Sequence, residues 1–134
     1  MATHSRILLV DDHPQFRHAL RALMELNPNW EICGEASDGL EAVHKTAELK
    51  PDMVIMDVQM PRLNGLEATR KIHAAAPGIC VLIVTFYESS DLPQMVRDAG
   101  ARGFVLKSEL FEALTDAIET VMGSDRFFAC PHSS

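Results

Sequence analysis

The chain has 134 residues, 47% hydrophobic and 23% charged, with a net charge of −7. That length fits one domain able to bury a core without metal or disulfide staples; the acidic balance, with no basic cluster longer than Arg70-Lys71, argues against direct nucleic-acid contact. No run approaches the roughly 18 apolar residues of a membrane span, and residues 1–6 lack the features of a signal peptide, so a cytoplasmic location is expected.

Short β-rich runs alternate with helical periods. Arg6 to Val10 is a predicted strand. Pro14 suits a first helical turn, and Phe16, Ala19, Leu20, Leu23 and Met24 recur at helical spacing. Asn27-Pro28-Asn29 breaks that helix, and Trp30 to Ala36 reads as a second strand. Ser37-Asp38-Gly39 is a turn that can cap a second helix reaching about Leu49, with Leu40, Val43 and Ala47 inward. Met53 to Met56 is a third strand, apolar on both faces, as a central parallel strand covered by helices requires. The Asn64-Gly65 turn opens a third helix with Leu66, Thr69, Ile72 and Ala76 in period, and Pro77-Gly78 ends it. Ile79 to Val84 is a fourth strand that delivers Thr85 to its C-terminal end. A polar loop, Glu88 to Asp91, leads into a fourth helix. Gly100 and Gly103 bracket the turn into a fifth strand, Phe104 to Leu106, with Lys107 at its end. A fifth helix runs from about Glu109 to Met122, with Leu110, Leu114, Ile118 and Val121 or Met122 on one face; from Gly123 onward neither period is present.

Five strands alternating with five helices make an α/β fold, a doubly wound five-stranded parallel sheet with right-handed crossovers. Ligands of such sheets bind beyond the carboxyl ends of the strands, at the topological switch point. Asp11, Asp12, Asp57, Thr85 and Lys107 all fall at those ends. Three acids brought together repel unless a cation intervenes. Mg²⁺ suits the purpose, because it takes hard oxygen ligands, keeps several waters and needs only one or two carboxylates, here Asp12 and Asp57. Capping of the first helix by Asp11-Asp12 is a simpler role for those residues, but it leaves Asp57 unexplained. Asp57 can act as a nucleophile toward phosphorus, with Lys107 and the cation neutralising charge and Thr85 offering a hydroxyl. Cys33 and Cys80 lie in apolar runs and read as core residues, whereas Cys130 is in the tail; no CxxC pair points to a metal or redox site. The six histidines, His4, His13, His18, His44, His73 and His132, lack metal-like spacing and read as surface or packing residues, with His13 nearest the acids.

Asp11-Asp12, Asp57 with Met60-Pro61 and Asn64-Gly65, Thr85, and Phe104-Val105-Leu106-Lys107 resemble the receiver domain of bacterial two-component response regulators. Gly34-Glu35-Ala36, Ala99-Gly100-Ala101-Arg102-Gly103 and the lack of Pro after Lys107 resemble the NarL/FixJ-type subgroup, which carries a LuxR-type output. The resemblance covers roughly residues 5–123. It implies a flavodoxin-like (βα)5 receiver fold over residues 1–123, with 124–134 a C-terminal tail or the start of a linker. It also implies that a sensor histidine kinase donates a phosphoryl group to Asp57. Mg²⁺ would sit on Asp12, Asp57 and the Gln59 backbone carbonyl, with Asp11 acting through water, and Lys107 would hold the phosphoryl group. Thr85 would move toward that group and Phe104 would swing inward, altering the face made by the fourth helix, fifth strand and fifth helix. Phe104 lacks the hydroxyl of the commoner Tyr and reads equally as a plain core aromatic, and Phe86 is bulkier than the usual residue after the switch Thr, so its bulk would slow phosphoryl entry or water attack. The start of the first helix, Pro14, Phe16 and Arg17, corresponds to a kinase-docking region, although Phe16 also reads as a core residue.

The implied protein is a phosphoacceptor and not an enzyme beyond self-phosphorylation from small donors and self-dephosphorylation. Its output would be transcription through a DNA-binding domain absent from this chain, with a homodimer possible; a stand-alone regulator working through protein contacts is the alternative. A Mg²⁺-dependent aspartyl-phosphate phosphatase is the rival class. Such enzymes place an acid two residues after the nucleophile to protonate the leaving group, and here that residue is Gln59.

Overall fold

A computed structural model describes residues 5–60, 62–86, 89–122 and 127–129. The expectations for His4, Pro61, Glu88, Cys130, His132 and the tail apart from residues 127–129, and for the side chains of Leu110, Val121 and Met122, fall outside the described residues.

The strands are β1 (Ser5–Val10), β2 (Trp30–Ala36), β3 (Met53–Met56), β4 (Cys80–Thr85) and β5 (Gly103–Leu106). Between and after them run α1 (Pro14–Met24), α2 (Gly39–Leu49), α3 (Gly65–Ala75), α4 (Leu92–Ala99) and α5 (Leu110–Met122). All strand pairs are parallel, in the order β2-β1-β3-β4-β5. A sixth strand, β6 (Phe127–Ala129), adds in parallel to β5 within the segment where the sequence shows no strand pattern. Its three residues are too short to display alternation, so pairing with β5 defines it and periodicity does not.

Alternation within the strands divides the core in two. Leu8, Val10, Val54, Met56, Val81, Ile83, Phe104 and Leu106 pack with Ala42, Leu66, Ile72, Leu92 and Val96 of α2, α3 and α4. Ile7, Leu9, Met53, Ile55, Leu82, Val84 and Val105 pack with Leu20 and Met24 of α1 and Leu114 and Ile118 of α5. The central strands are therefore apolar throughout because each face meets a helical layer. Each fully buried aliphatic side chain stabilises the fold by about 1.5–3 kcal/mol. Cys80 is buried and Cys33 half-buried against the first cluster. β2 lies at one edge of the sheet and bulges at Cys33, where the register passes from Ile7↔Ile32 to Leu8↔Gly34.

Helical inward faces differ from expectation in one place. Val43 packs on the core, but Leu40 is 48% exposed and Ala47 is exposed. Gly39, Ala42 and Thr46 are the buried residues of α2 instead, on a helix whose start Asp38 caps by accepting the Glu41 backbone N–H at 2.8 Å. Asn64 caps α3 in the same way through Glu67 N at 2.9 Å. No helix among the described residues is long and apolar enough to cross a membrane.

The β3–α3 loop is closed tightly onto the sheet edge. Gly65 N donates to Val58 O at 2.8 Å. A Cβ on Gly65 would overlap the Asp57 carbonyl oxygen, and one on Gly39 would overlap that of Leu63. Arg62 adopts a left-handed backbone, φ 67°, unfavourable for a side-chain-bearing residue. Its guanidinium lies against Asp38 Oδ2, Nη2 at 2.7 Å and Nε at 3.1 Å, tying the loop to the α2 cap. Gly65→Ala is expected to lower stability by more than ~2 kcal/mol, read as a lower urea midpoint; an unchanged midpoint would show that the loop yields.

Candidate functional site

The switch point of the sheet lies between β1 and β3, which are neighbours although β2 intervenes in sequence. Their ends bring the acids together. Asp57 N donates to Val10 O at 3.0 Å and Asp11 N to Ala36 O at 3.0 Å, so each carboxylate is carried on the first residue past a fully paired strand. Ligand atoms of Asp11, Asp12, His13 and Asp57 lie within 4.8 Å of one another. His13, which the sequence suggests only as the nearest histidine, is thus at the cluster, with Nδ1 3.2 Å from Asp11 Oδ1. Its spacing gives no sign of this, because the turn after β1 folds the ring back.

Lys107 arrives from the end of β5. Its Nζ is 2.6 Å from Asp11 Oδ2 and 3.6 Å from Asp57 Oδ2. The side chain is only 2% exposed. Thr85 ends β4, fully buried and in register with Leu106. Gln59 is exposed two residues after Asp57. The expected strand-end residues therefore converge at one edge. Phe104, on β5, is buried in the core on the α2–α4 side of the sheet, as its reading as a core aromatic also expects.

Capping does not account for the acids. His13 is the N-cap of α1 and supplies no side-chain cap, and Asp11 Oδ1 accepts the His13 backbone N–H at 2.8 Å, outside the helix. Asp12 Oδ1 is buried without a hydrogen bond. His13 Nδ1 lies 3.1 Å from it but is not aligned to donate. An orphaned buried carboxylate oxygen calls for a cation. One ammonium against the three carboxylates leaves the site short of two positive charges. The donor set is mostly hard oxygen, so the residues fit a divalent cation of the oxygen-seeking kind.

Burial pushes the Asp57 carboxyl up to about 6; the Lys107 charge opposes the rise, Asp11 and Asp12 add to it, and the Val58 N–H works against it. Arg17 anchors α1 beside the site, with Nη1 2.5 Å from Asp11 O and Nε 2.8 Å from Glu35 Oε1. Arg21 reaches the other Glu35 oxygen at 2.6 Å. These guanidiniums, Arg17 first, hold the Glu35 carboxyl below its ordinary range against the effect of burial. The sequence gives no sign of this brace, since residues 17, 21 and 35 share no local motif.

Fold and site together define a signalling receiver domain of two-component systems. Residues 7–119 match the family model for the response regulator receiver domain, and the chain belongs to that family. It is 37% identical over 124 residues to the response regulator GacA of Pseudomonas viridiflava, spanning 92% of this chain and 58% of that protein. It is 38% identical over 113 residues to the transcriptional regulatory protein LiaR of Bacillus subtilis, spanning 84% of this chain and 54% of that one. The chain thus spans a little over half the length of these curated relatives. A LuxR-family two-component response regulator from Aurantimonas sp. SI85-9A1 superposes with a TM-score of 0.89 at 38% identity, covering 93% of this chain and 89% of that one. That likeness agrees with the subgroup resemblance seen in the sequence.

The Asp57 shift has a consequence for stability. The carboxyl binds its proton more tightly in the folded chain than at its ordinary 3.8. Its stabilising contribution is therefore present below that value and lost as pH rises through about 6. Without divalent cations, Asp57→Asn is expected to exceed the wild type in stability by ~1–3 kcal/mol at neutral pH. The gap should close toward pH ~4, as read by urea unfolding across that range. A gap that is constant with pH would contradict it.

Proposed function

We propose that Asp57 is the phosphoacceptor of this receiver, taking a phosphoryl group from a sensor histidine kinase. The observation that carries this is the reach of Lys107 Nζ to both Asp11 and Asp57, at 2.6 and 3.6 Å, across the switch point. A carboxylate Oδ of Asp57 attacks phosphorus; the P–O bond forms as the P–N bond to the kinase histidine breaks, and that nitrogen leaves with the electron pair. Phosphoryl transfer depends on position and charge neutralisation more than on covalent help from the protein. Lys107 supplies a fixed positive charge beside the accepting oxygen. Its short contact to Asp11 holds the ammonium in place before the phosphoryl group arrives.

Asp12 and Asp57 would hold Mg²⁺, with the Gln59 backbone carbonyl and a water beside Asp11 completing the set. When bound, the ion neutralises charge on the transferring oxygens. Thr85, at the end of β4, would donate its hydroxyl to the phosphoryl group. Thr85 and Phe104 would be the switch residues, their rearrangement altering the face of α4, β5 and α5. Residues 1–123 would form the receiver and 124–134 a tail leading into a linker, its residues Phe127–Ala129 adding a strand to the receiver's sheet. Transcription is the output we favour, through a DNA-binding part in the length that the relatives have beyond the matched region, with homodimerisation as a possible step and the cytoplasm as the location. The same aspartyl phosphate would form from small donors, without true enzymatic turnover.

Incubation with Mg²⁺ and acetyl phosphate is expected to add the mass of one phosphoryl group. That gain should be absent in Asp57→Asn, and slowed by about tenfold or more in Lys107→Ala. Mass spectrometry of the intact chain decides the matter: no gain in the wild type, or a gain kept in Asp57→Asn, would refute the assignment.

A further inference from the structure

We propose that Phe86 and Phe16 are positioning residues for Lys107, their ring faces holding the ammonium over the acids and thereby setting how fast Asp57 takes a phosphoryl group. This rests on the function proposed above and adds to it two residues with no polar chemistry of their own. Lys107 Nζ lies 4.1 Å from the centroid of the Phe16 ring and 5.1 Å from that of Phe86. Both distances fall within the roughly 6 Å over which a cation is drawn to an aromatic face. The face carries the negative part of the ring quadrupole, so it replaces water around the ammonium at lower cost than an aliphatic surface would.

The two rings are held differently. Phe16 belongs to α1, packs partly buried against the α1–α5 side of the core, and sits beside the Arg17 contacts to Asp11 and Glu35. It is the fixed wall. Phe86 is 68% exposed and directly follows Thr85, so core packing gives it little reason to lie over Lys107. Between them the lysine side chain is 2% exposed even though it lies at a sheet edge. Charge growing on the phosphoryl oxygens is stabilised best by an ammonium that need not reorient. With one ring face gone, water reaches the ammonium and its position is less defined, so transfer slows.

The test uses the full chain with Mg²⁺ and saturating acetyl phosphate, following intact mass with time. Phe86→Leu keeps apolar bulk without a π face and should slow the gain by about fivefold. Phe86→Tyr keeps the face and should run near the wild-type rate. In parallel, the Lys107 ε-methylene protons should show an upfield ring-current shift by NMR, reduced in Phe86→Leu and kept in Phe86→Tyr. Phe86→Leu at the wild-type rate would overturn the proposal in favour of bulk alone, and Phe86→Tyr as slow as Phe86→Leu would overturn it equally. If the wild type gains no mass, the phosphoacceptor reading itself fails. The NMR shift still decides the positioning in that case, and its absence in the wild type would refute it.

Discussion

The ammonium of Lys107, brought by β5 to carboxylates carried by β1 and β3, is the contact on which the rest of this edge depends. Buried charges are costly unless paired. Here Asp11 is satisfied at 2.6 Å and Asp57 is left at 3.6 Å, partly compensated. Removing Lys107 or Asp11 from the close pair is the costly change, typically ~3–5 kcal/mol, because the other is left buried without its close partner. The arrangement also leaves charge unbalanced toward the negative, a condition that favours a divalent cation beside the acids.

Sheet topology makes that contact possible, and loop chemistry makes it accurate. The order β2-β1-β3-β4-β5 puts the ends of β1 and β3 side by side, with β5 two strands further on, so a lysine can span the gap while Thr85 ends the strand between. Gly65 and Gly39 then allow the β3–α3 loop to approach where any Cβ would collide with a carbonyl oxygen. The Arg62–Asp38 fork offsets the left-handed backbone at Arg62 and couples this loop to the start of α2. On the other side, Glu35 braces α1 through Arg17 and Arg21, which fixes the ring of Phe16 next to Lys107.

Much of this was legible in the linear chain because the signals are local. Apolar runs in β3 and β4, the Asp38 cap, the Asn64-Gly65 turn and the position of each acid relative to its strand all arise within a few residues. The errors have the opposite origin. Leu40 and Ala47 look inward by spacing, yet α2 buries Ala42 and Thr46, because the rotation of a helix about its axis is set by what it packs on. β6 has no pattern of its own and exists through its ladder to β5. The preference for a site over capping at Asp11-Asp12 holds, since the turn geometry makes His13 the N-cap.

By itself the sequence determined the fold class, the family, and which strand ends carry acid, hydroxyl and amine, since hydrophobic period and turn chemistry are properties of neighbouring residues. Tertiary structure alone decided which of those groups touch: Lys107 on Asp11 more closely than on Asp57, His13 at the acids, and Phe16 and Phe86 over the ammonium. Such contacts join residues far apart in the chain, and their distances follow from sheet register and helix packing, quantities that no local stretch of sequence contains.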